Sequence, residues 1–293
     1  MDWLSALAQL RRDGRTGVLI TVLEVRGHAP RDPGAKMVVG ADHSWGSVGG
    51  GNLEEAAVRT AREMIAGADT RPRTVESRLN EHERNAHGQQ CCGGVDQLLL
   101  EPMPARPVVA IFGVGHVGYE LARILSRLDI SLHLVDSRPE AVDELRLAGI
   151  TDGVADVEVA HRLLGEQVLD RLPRGAHVLI MTHDHAEDFA LCDTALRMPE
   201  LGSVGLIGSS AKWARFRRNL IAHSHRPDAV DTISCPIGLA ELTGKEPAVI
   251  AIGVSAVLVQ RIQAQRIQAQ QTQAQQTQAP APTAVESRSG RSS

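Results

Sequence analysis

Aromatic residues are nearly missing: the 293-residue chain has three Trp, one Tyr and three Phe. These are Trp3, Trp45, Phe112, Tyr119, Phe189, Trp213 and Phe216, too few for a platform on which nucleobases stack. An excess of positive charge is also missing. Lys and Arg number 31 against 35 Asp and Glu, a net charge of −4, so a basic face for a phosphate backbone is not expected and nucleic acid is not an expected partner. No run reaches the ~18 apolar residues of a membrane span. The longest, Ala248 to Val259, reads as a buried helix. The first residues carry an acid at Asp2 and no positive leader, which does not fit a signal peptide. The four cysteines, Cys91, Cys92, Cys192 and Cys235, form no C-x-x-C pair, so neither a zinc ribbon nor a disulfide scaffold is expected. Reduced thiols and a cytoplasmic location are the expectation.

What is present is enough apolar sequence for a sizeable core, 43% of the chain, over a length that suggests two domains. The fold class expected is α/β. Residues 1–105 read as a mixed α+β domain. Trp3, Leu4, Leu7 and Leu10 share a helical face. Strands are predicted over Thr16–Val25, Ala35–Gly40, Thr74–Leu79 and Val95–Glu101, and a helix over Asn52–Ala66 with Asn52 as its N-cap. Three prolines in Pro102–Pro107 mark a linker. Residues 106–245 then alternate. Strands Val108–Phe112, Ser131–Val135, Val178–Thr182 and Val204–Ile207 are interleaved with helices His116–Leu128, Pro139–Leu147, Glu187–Leu196 and Ala211–Ala222. That alternation means βαβ units and a doubly wound, Rossmann-like parallel sheet. A C-terminal helix over 246–270 and a disordered tail over 271–293 follow, because the repeat RIQAQ-RIQAQ-QTQAQ-QTQAP and the Pro/Ser/Arg-rich end offer little apolar surface to offset ordering entropy.

Several segments have the composition of a ligand site. Gly113-Val114-Gly115-His116-Val117-Gly118 follows a predicted strand and opens a helix, the context of a dinucleotide fingerprint. There Gly113, Gly115 and Gly118 permit a tight turn and close approach of a phosphate. Asp136 ends the next strand, where a ribose-binding acid would sit, and Arg138 two residues on could tolerate an extra phosphate. The loop Gly27–Met37 presents His28, Arg31 and Lys36 to an anionic ligand. The run Gly49, Gly50 and Gly51 before a helix is an anion cradle by geometry and is not a Walker A loop, since no Gly-Lys-Ser/Thr follows. Cys91 and Cys92 precede two glycines that leave a thiol reachable, fit for a soft metal or for sulfur transfer. In Thr182–Asp188, His183 and His185 lie at a strand's carboxyl end, where open α/β sheets bind ligands, with Asp184 as the expected helix cap. Ser209 or Ser210 is placed to cap a later helix.

Read in order, the segments G-H-A-P-R-x-x-G-A-K-M, G-S-V-G-G-G-x-L-E, C-C-G-G, G-x-G-H-V-G with V-D-S-R, T-H-D-H-x-x-D, I-G-S-S and C-P-I-G resemble the XdhC/CoxI family, in the form of the xanthine dehydrogenase accessory proteins of the XdhC type. The resemblance covers residues 15 to 258. One departure is Ala256-Val257-Leu258, where the family tends to carry Ala-Glu-Leu. The resemblance implies a chaperone and not a catalyst. Such a protein binds the molybdenum cofactor (molybdopterin) as cargo, protects it while a cysteine desulfurase supports its sulfuration, and inserts it into the molybdenum-binding subunit of apo xanthine dehydrogenase. On this reading the cofactor's phosphate lies on Gly49–Gly51 or Gly113–Gly118, Arg31 and Lys36 balance its charge, and Cys92 or Cys91 faces the molybdenum or relays sulfur. A homodimer is expected from the general prevalence of twofold assemblies. The alternative is an oxidoreductase that holds NAD(P) or another nucleotide in the Rossmann half and moves protons with His183 and His185.

Overall fold

The structure, a computed structural model, describes residues 1–27, 30–79 and 94–278. Its first half is α1 (Trp3–Arg12), β1 (Gly17–Gly27), β2 (Lys36–Val39), β3 (Ser44–Gly46), α2 (Gly51–Ala66), β4 (Arg73–Leu79) and β5 (Gly94–Met103). The five strands make one antiparallel sheet in the order β3-β2-β1-β5-β4. Alternation along β1 sorts its two faces. Val18, Ile20 and Val22 pack under Leu53, Ala57, Ala61 and Met64 of α2, while Leu19 faces Ala6 and Leu10 of α1. Leu4, expected on the buried stripe of α1, is exposed, and Ala6 is buried instead.

The second half is β6 (Val108–Phe112), α3 (His116–Leu125), β7 (Ser131–Asp136), a 3₁₀ turn (Pro139–Val142), α4 (Glu144–Thr151), β8 (Asp156–His161), α5 (Glu166–Leu169), β9 (His177–Ile180), α6 (His185–Leu196), β10 (Ser203–Leu206), α7 (Ser210–Ala222), α8 (Pro227–Val230) and α9 (Pro247–Gln278). All neighbouring strands pair parallel, in the order β10-β9-β6-β7-β8. The chain therefore starts in the middle, builds outward through β7 and β8, then returns to add β9 and β10 on the other side. This is a Rossmann-like doubly wound sheet with its strand reversal between β6 and β9. Val109, Ile111, Leu132 and Leu134 face Leu121, Leu125 and the stripe Ala251, Val254, Leu258 and Ile262 of α9. Ala110, Phe112, Val178 and Ile180 face Leu191, Cys192, Phe216 and Leu220 of α6 and α7.

Four local expectations are corrected. Asn52 is not the N-cap of α2; Gly50 is. The helix expected over Pro139–Leu147 is broken, because the Asp143 side chain accepts from the Arg146 amide and starts α4 afresh. The helix expected to end at 270 runs to Gln278, since Ala and Gln are good helix formers. Ala248–Val259 is not buried all round, for Ile252 is exposed. The stretch Pro247–Gln265 is long and apolar enough to cross a membrane by length and composition, but its buried stripe is spent on the Rossmann core. Between the two sheets, Arg11 and Arg106 both reach Asp129, and Gly14 lies beside Pro173.

Candidate functional site

The site grows from the turn that leaves β6. Gly113 has φ +99°, and a Cβ there would stand 2.2 Å from the Met181 carbonyl oxygen. A Cβ at Gly118 would stand 2.1 Å from the oxygen of Gly113. Only glycine lets α3 begin this close to the ends of β6 and β9. Gly115 is the N-cap of α3, and no side chain among the described residues caps that helix. A Cβ on Gly115 would lie 3.7 Å from Arg138 Nη2. Uncapped helix amides and a guanidinium thus flank one spot, an arrangement suited to an anion.

Asp136 braces this arrangement. Its Oδ2 accepts from the Val114 amide at 2.7 Å and from Arg138 Nη2 at 2.9 Å, and its Oδ1 accepts from the Arg138 amide and Nε, each at 2.9 Å. Burial pushes the carboxyl up, but these hydrogen bonds outweigh it and hold the group below the usual carboxylate range. A ribose hydroxyl would have to displace Arg138 to reach it. In front of the turn lies a crevice of about 200 Å³, lined by Gly113, Ser137, Leu163, Leu164, Thr182 and Glu187 among others. Ligand pockets usually run to roughly 300–1,000 Å³, so this one takes only part of a large guest. Ser137 Oγ donates to Glu187 Oε1 at 2.7 Å, and both residues line the crevice.

The neighbouring strand ends are closed by the chain itself. Asp188, fully buried, accepts from the Thr182 amide and hydroxyl and pairs with Lys212, whose Nζ also donates to the Ile207 carbonyl at 3.0 Å. Cys235 lies beside Gly208, and burial pushes its thiol up to about 11. Asp184 caps α6 and Ser209 caps α7 through their side chains. His183 stands 4.0 Å from Glu187, and His185 accepts from Arg215 at 3.2 Å. Neither lines the crevice.

The candidates in the first half divide differently. Glu54 of α2 reaches back so that one oxygen accepts from Ser47 Oγ (2.6 Å) and from the amides of Val48 (3.1 Å) and Gly50 (3.0 Å). The cradle at Gly49, Gly50 and Gly51 therefore already holds a carboxylate of its own chain. Lys36 donates to Thr21 Oγ1 at 2.9 Å and sits over the Trp3 ring, on the α1 side of the sheet. Arg31 is exposed; the preceding Pro30 would be 2.8 Å from a Cβ at Gly49. His28, Cys91 and Cys92 lie outside the described residues. Gly27 pairs with Gly94 and Gly94 with Leu79, so β1, β4 and β5 bring the chain to these segments at one end of the sheet. Among the described residues no group of three or more His, Cys, Asp or Glu could hold a metal ion. Sequence reasoning named Arg138 only as tolerant of phosphate, and did not find Glu54 as the internal anion or the Asp188–Lys212 pair. Glu54 in the first turn of a helix after a glycine run was the available signal.

Residues 109–258 match the family model of the XdhC Rossmann domain, and residues 10–77 that of the XdhC and CoxI family. The uncharacterized protein YqeB of Escherichia coli K12 is 26% identical over 261 residues, 88% of this chain and 46% of the relative. The molybdenum cofactor insertion chaperone PaoD of the same organism is 37% identical over 100 residues, 33% of this chain and 30% of that one. The chain thus spans less than half the length of these curated relatives. A crystal structure of a xanthine dehydrogenase from Bacillus halodurans superposes over 90% of this chain and 96% of the other, at TM-score 0.47 and 20% identity.

Proposed function

Because the chain belongs to the XdhC and CoxI family, we propose that it serves as an accessory protein in xanthine dehydrogenase maturation and acts as a cytoplasmic chaperone for the molybdenum cofactor. The observation that carries this reading is the uncapped N-terminus of α3 beside Arg138 at the strand reversal. The cargo is a pterin with a phosphate at one end and a dithiolene-bound molybdenum at the other. The α3 amides and Arg138 would take the phosphate, while Glu54 already fills the rival cradle at Gly49–Gly51. Thr182 and Glu187 at the crevice border offer hydrogen bonds to the polar edge of a ring. A crevice of about 200 Å³ leaves the rest of the guest outside it, which suits cargo that must be handed on. Cys91 and Cys92 are the residues proposed to face the molybdenum or relay sulfur. Apo xanthine dehydrogenase is the proposed recipient, a cysteine desulfurase the proposed sulfur source, and a homodimer the proposed assembly.

The test is to purify the protein from cells that make the cofactor and measure molybdenum and fluorescent pterin per chain, with and without apo-enzyme. Wild type should retain both and release them to the apo-enzyme. Arg138→Ala should retain about tenfold less or lower still, the weight of a charge-assisted hydrogen bond. Wild type without molybdenum or pterin refutes the proposal. Undiminished retention and sulfuration in the Cys91→Ala/Cys92→Ala double variant removes the thiols from it. Stoichiometric NAD(P) with dehydrogenase turnover would instead favour the oxidoreductase reading, against which stands the engagement of both Asp136 oxygens by Arg138 and Val114.

A further inference from the structure

The crossover from β8 to β9 is shorter than a doubly wound sheet needs. In such a sheet each crossover helix covers one face. Here residues 162–176 contain only α5, four residues long. On the side of the sheet that Ala110 shares, Val135 is covered but His133 of β7 and Glu158 of β8 are not, and a groove of about 570 Å³ is lined by them. That volume lies within the usual range of roughly 300–1,000 Å³ for small-molecule sites.

The residues in the groove are not those of an unfinished core. Ala110, His133 and Glu158 are cross-strand neighbours in one row. Where a covered parallel sheet would carry apolar residues, the row continues as a polar pair, with His133 Nδ1 3.3 Å from Glu158 Oε2. Val108, Ala160, Val168 and Leu172 supply an apolar floor and wall. Three arginines, Arg12, Arg162 and Arg171, line it together with the acids Asp13 and Glu158. Arg12 donates to Gln9 Oε1 and Arg162 to the His161 carbonyl, and among the described residues none of the three forms an ion pair with a carboxylate. In a chain of net charge −4, three arginines with no carboxylate partner among the described residues, gathered at one groove, suit a bidentate anion.

We propose that this groove is a second ligand site, one that takes an organic phosphate of mononucleotide size. The arginines would hold the phosphate, the apolar floor a flat ring, and the His133–Glu158 pair the hydroxyls or ring nitrogens between them. The site is separate from the crevice at Gly113–Gly118, although Arg162 lines both.

The probe is N-methylanthraniloyl-AMP, titrated by fluorescence into the full chain, with unlabelled AMP and inorganic phosphate as competitors. Wild type should bind it, AMP should displace it, and inorganic phosphate should displace it at least about tenfold less well, because phosphate alone forgoes the apolar floor. Arg171→Glu should weaken binding by about tenfold or more and Arg12→Gln by less, whereas Arg138→Ala should leave binding unchanged. Thermal unfolding of each variant separates lost binding from lost fold, and Arg171→Lys provides a milder second variant that keeps the charge but not the fork. Three results would overturn the proposal: no saturable binding by wild type; equal binding by Arg171→Glu; or loss of binding in Arg138→Ala alone, which would put the probe in the crevice. Molybdenum and pterin retention by Arg171→Glu should equal wild type, so failure here is distinguishable from failure of the cofactor reading.

Discussion

Two glycines in helices should respond in opposite directions to the same substitution. Gly118 lies in the first turn of α3, where an added Cβ would overlap the Gly113 carbonyl oxygen at 2.1 Å and its carbon at 3.1 Å. Both obstacles are backbone, so no rotamer can move aside. An extra methyl forced into a packed site costs about 1–3 kcal/mol, and this site belongs at the upper end. Replacing glycine within a helix returns up to about 1 kcal/mol. The net is a loss of about 2 kcal/mol, a fall in Tm of roughly 4–8 °C. Gly149, in α4, is exposed and has nothing within 4 Å of its Cβ position. There only the helix preference remains, and Gly149→Ala should gain about 0.4–1 kcal/mol. Thermal unfolding followed by circular dichroism measures both. If Gly118→Ala unfolds at or above the wild-type temperature, the overlap argument fails; if Gly149→Ala falls as far as Gly118→Ala, helix insertion and not the overlap is being measured.

Lys212→Met should cost about 3–5 kcal/mol by leaving buried Asp188 unpaired, and adding Asp188→Leu should recover most of it, as read from urea melts. Burial holds His177 below its ordinary value and outweighs the opposing hydrogen bond that its Nε2 donates to Gln265 Oε1, so the unfolded chain takes up more protons. The stability contributed is complete above about pH 6.5 and lost as pH falls through the folded value. Urea melts between pH 8 and pH 5 should therefore decline, and less so in His177→Asn; His133, also lowered by burial, adds a share of the same sign. Asp136 is held below its ordinary value, so its contribution is present above about pH 4 and lost on further acidification. Arg138→Ala should shrink that acid-side loss in acid titrations followed by circular dichroism.

The parts of the fold readable from sequence were those with a one-dimensional signature. Five consecutive apolar residues in Val108–Phe112 are all buried in the central strand, and the glycine spacing at 113–118 announces a turn because no other residue fits it. β8 was not readable. Asp156–His161 is an edge strand whose residues are mostly exposed, so neither alternation nor an apolar run marks it. The break at Asp143 was hidden because a side chain that caps a helix looks in sequence like any acid inside one. The same limit applies to the site. Asp136 and Arg138 are two residues apart, yet which oxygen meets which nitrogen depends on rotamers. That Glu54 closes the glycine turn depends on a reach of four to seven residues back along the chain.

That reach makes the two glycine turns unequal partners in the life of the protein. The first carries its own anion from the moment it folds, so its shape is indifferent to any visitor and it can serve as a fixed wall. The second has one amide on Asp136, but the N-cap of its helix, Gly115, supplies no side chain and leaves that end uncapped. Of the two loops, one is closed by a carboxylate of its own helix, and the other leaves its helix end without a side-chain cap.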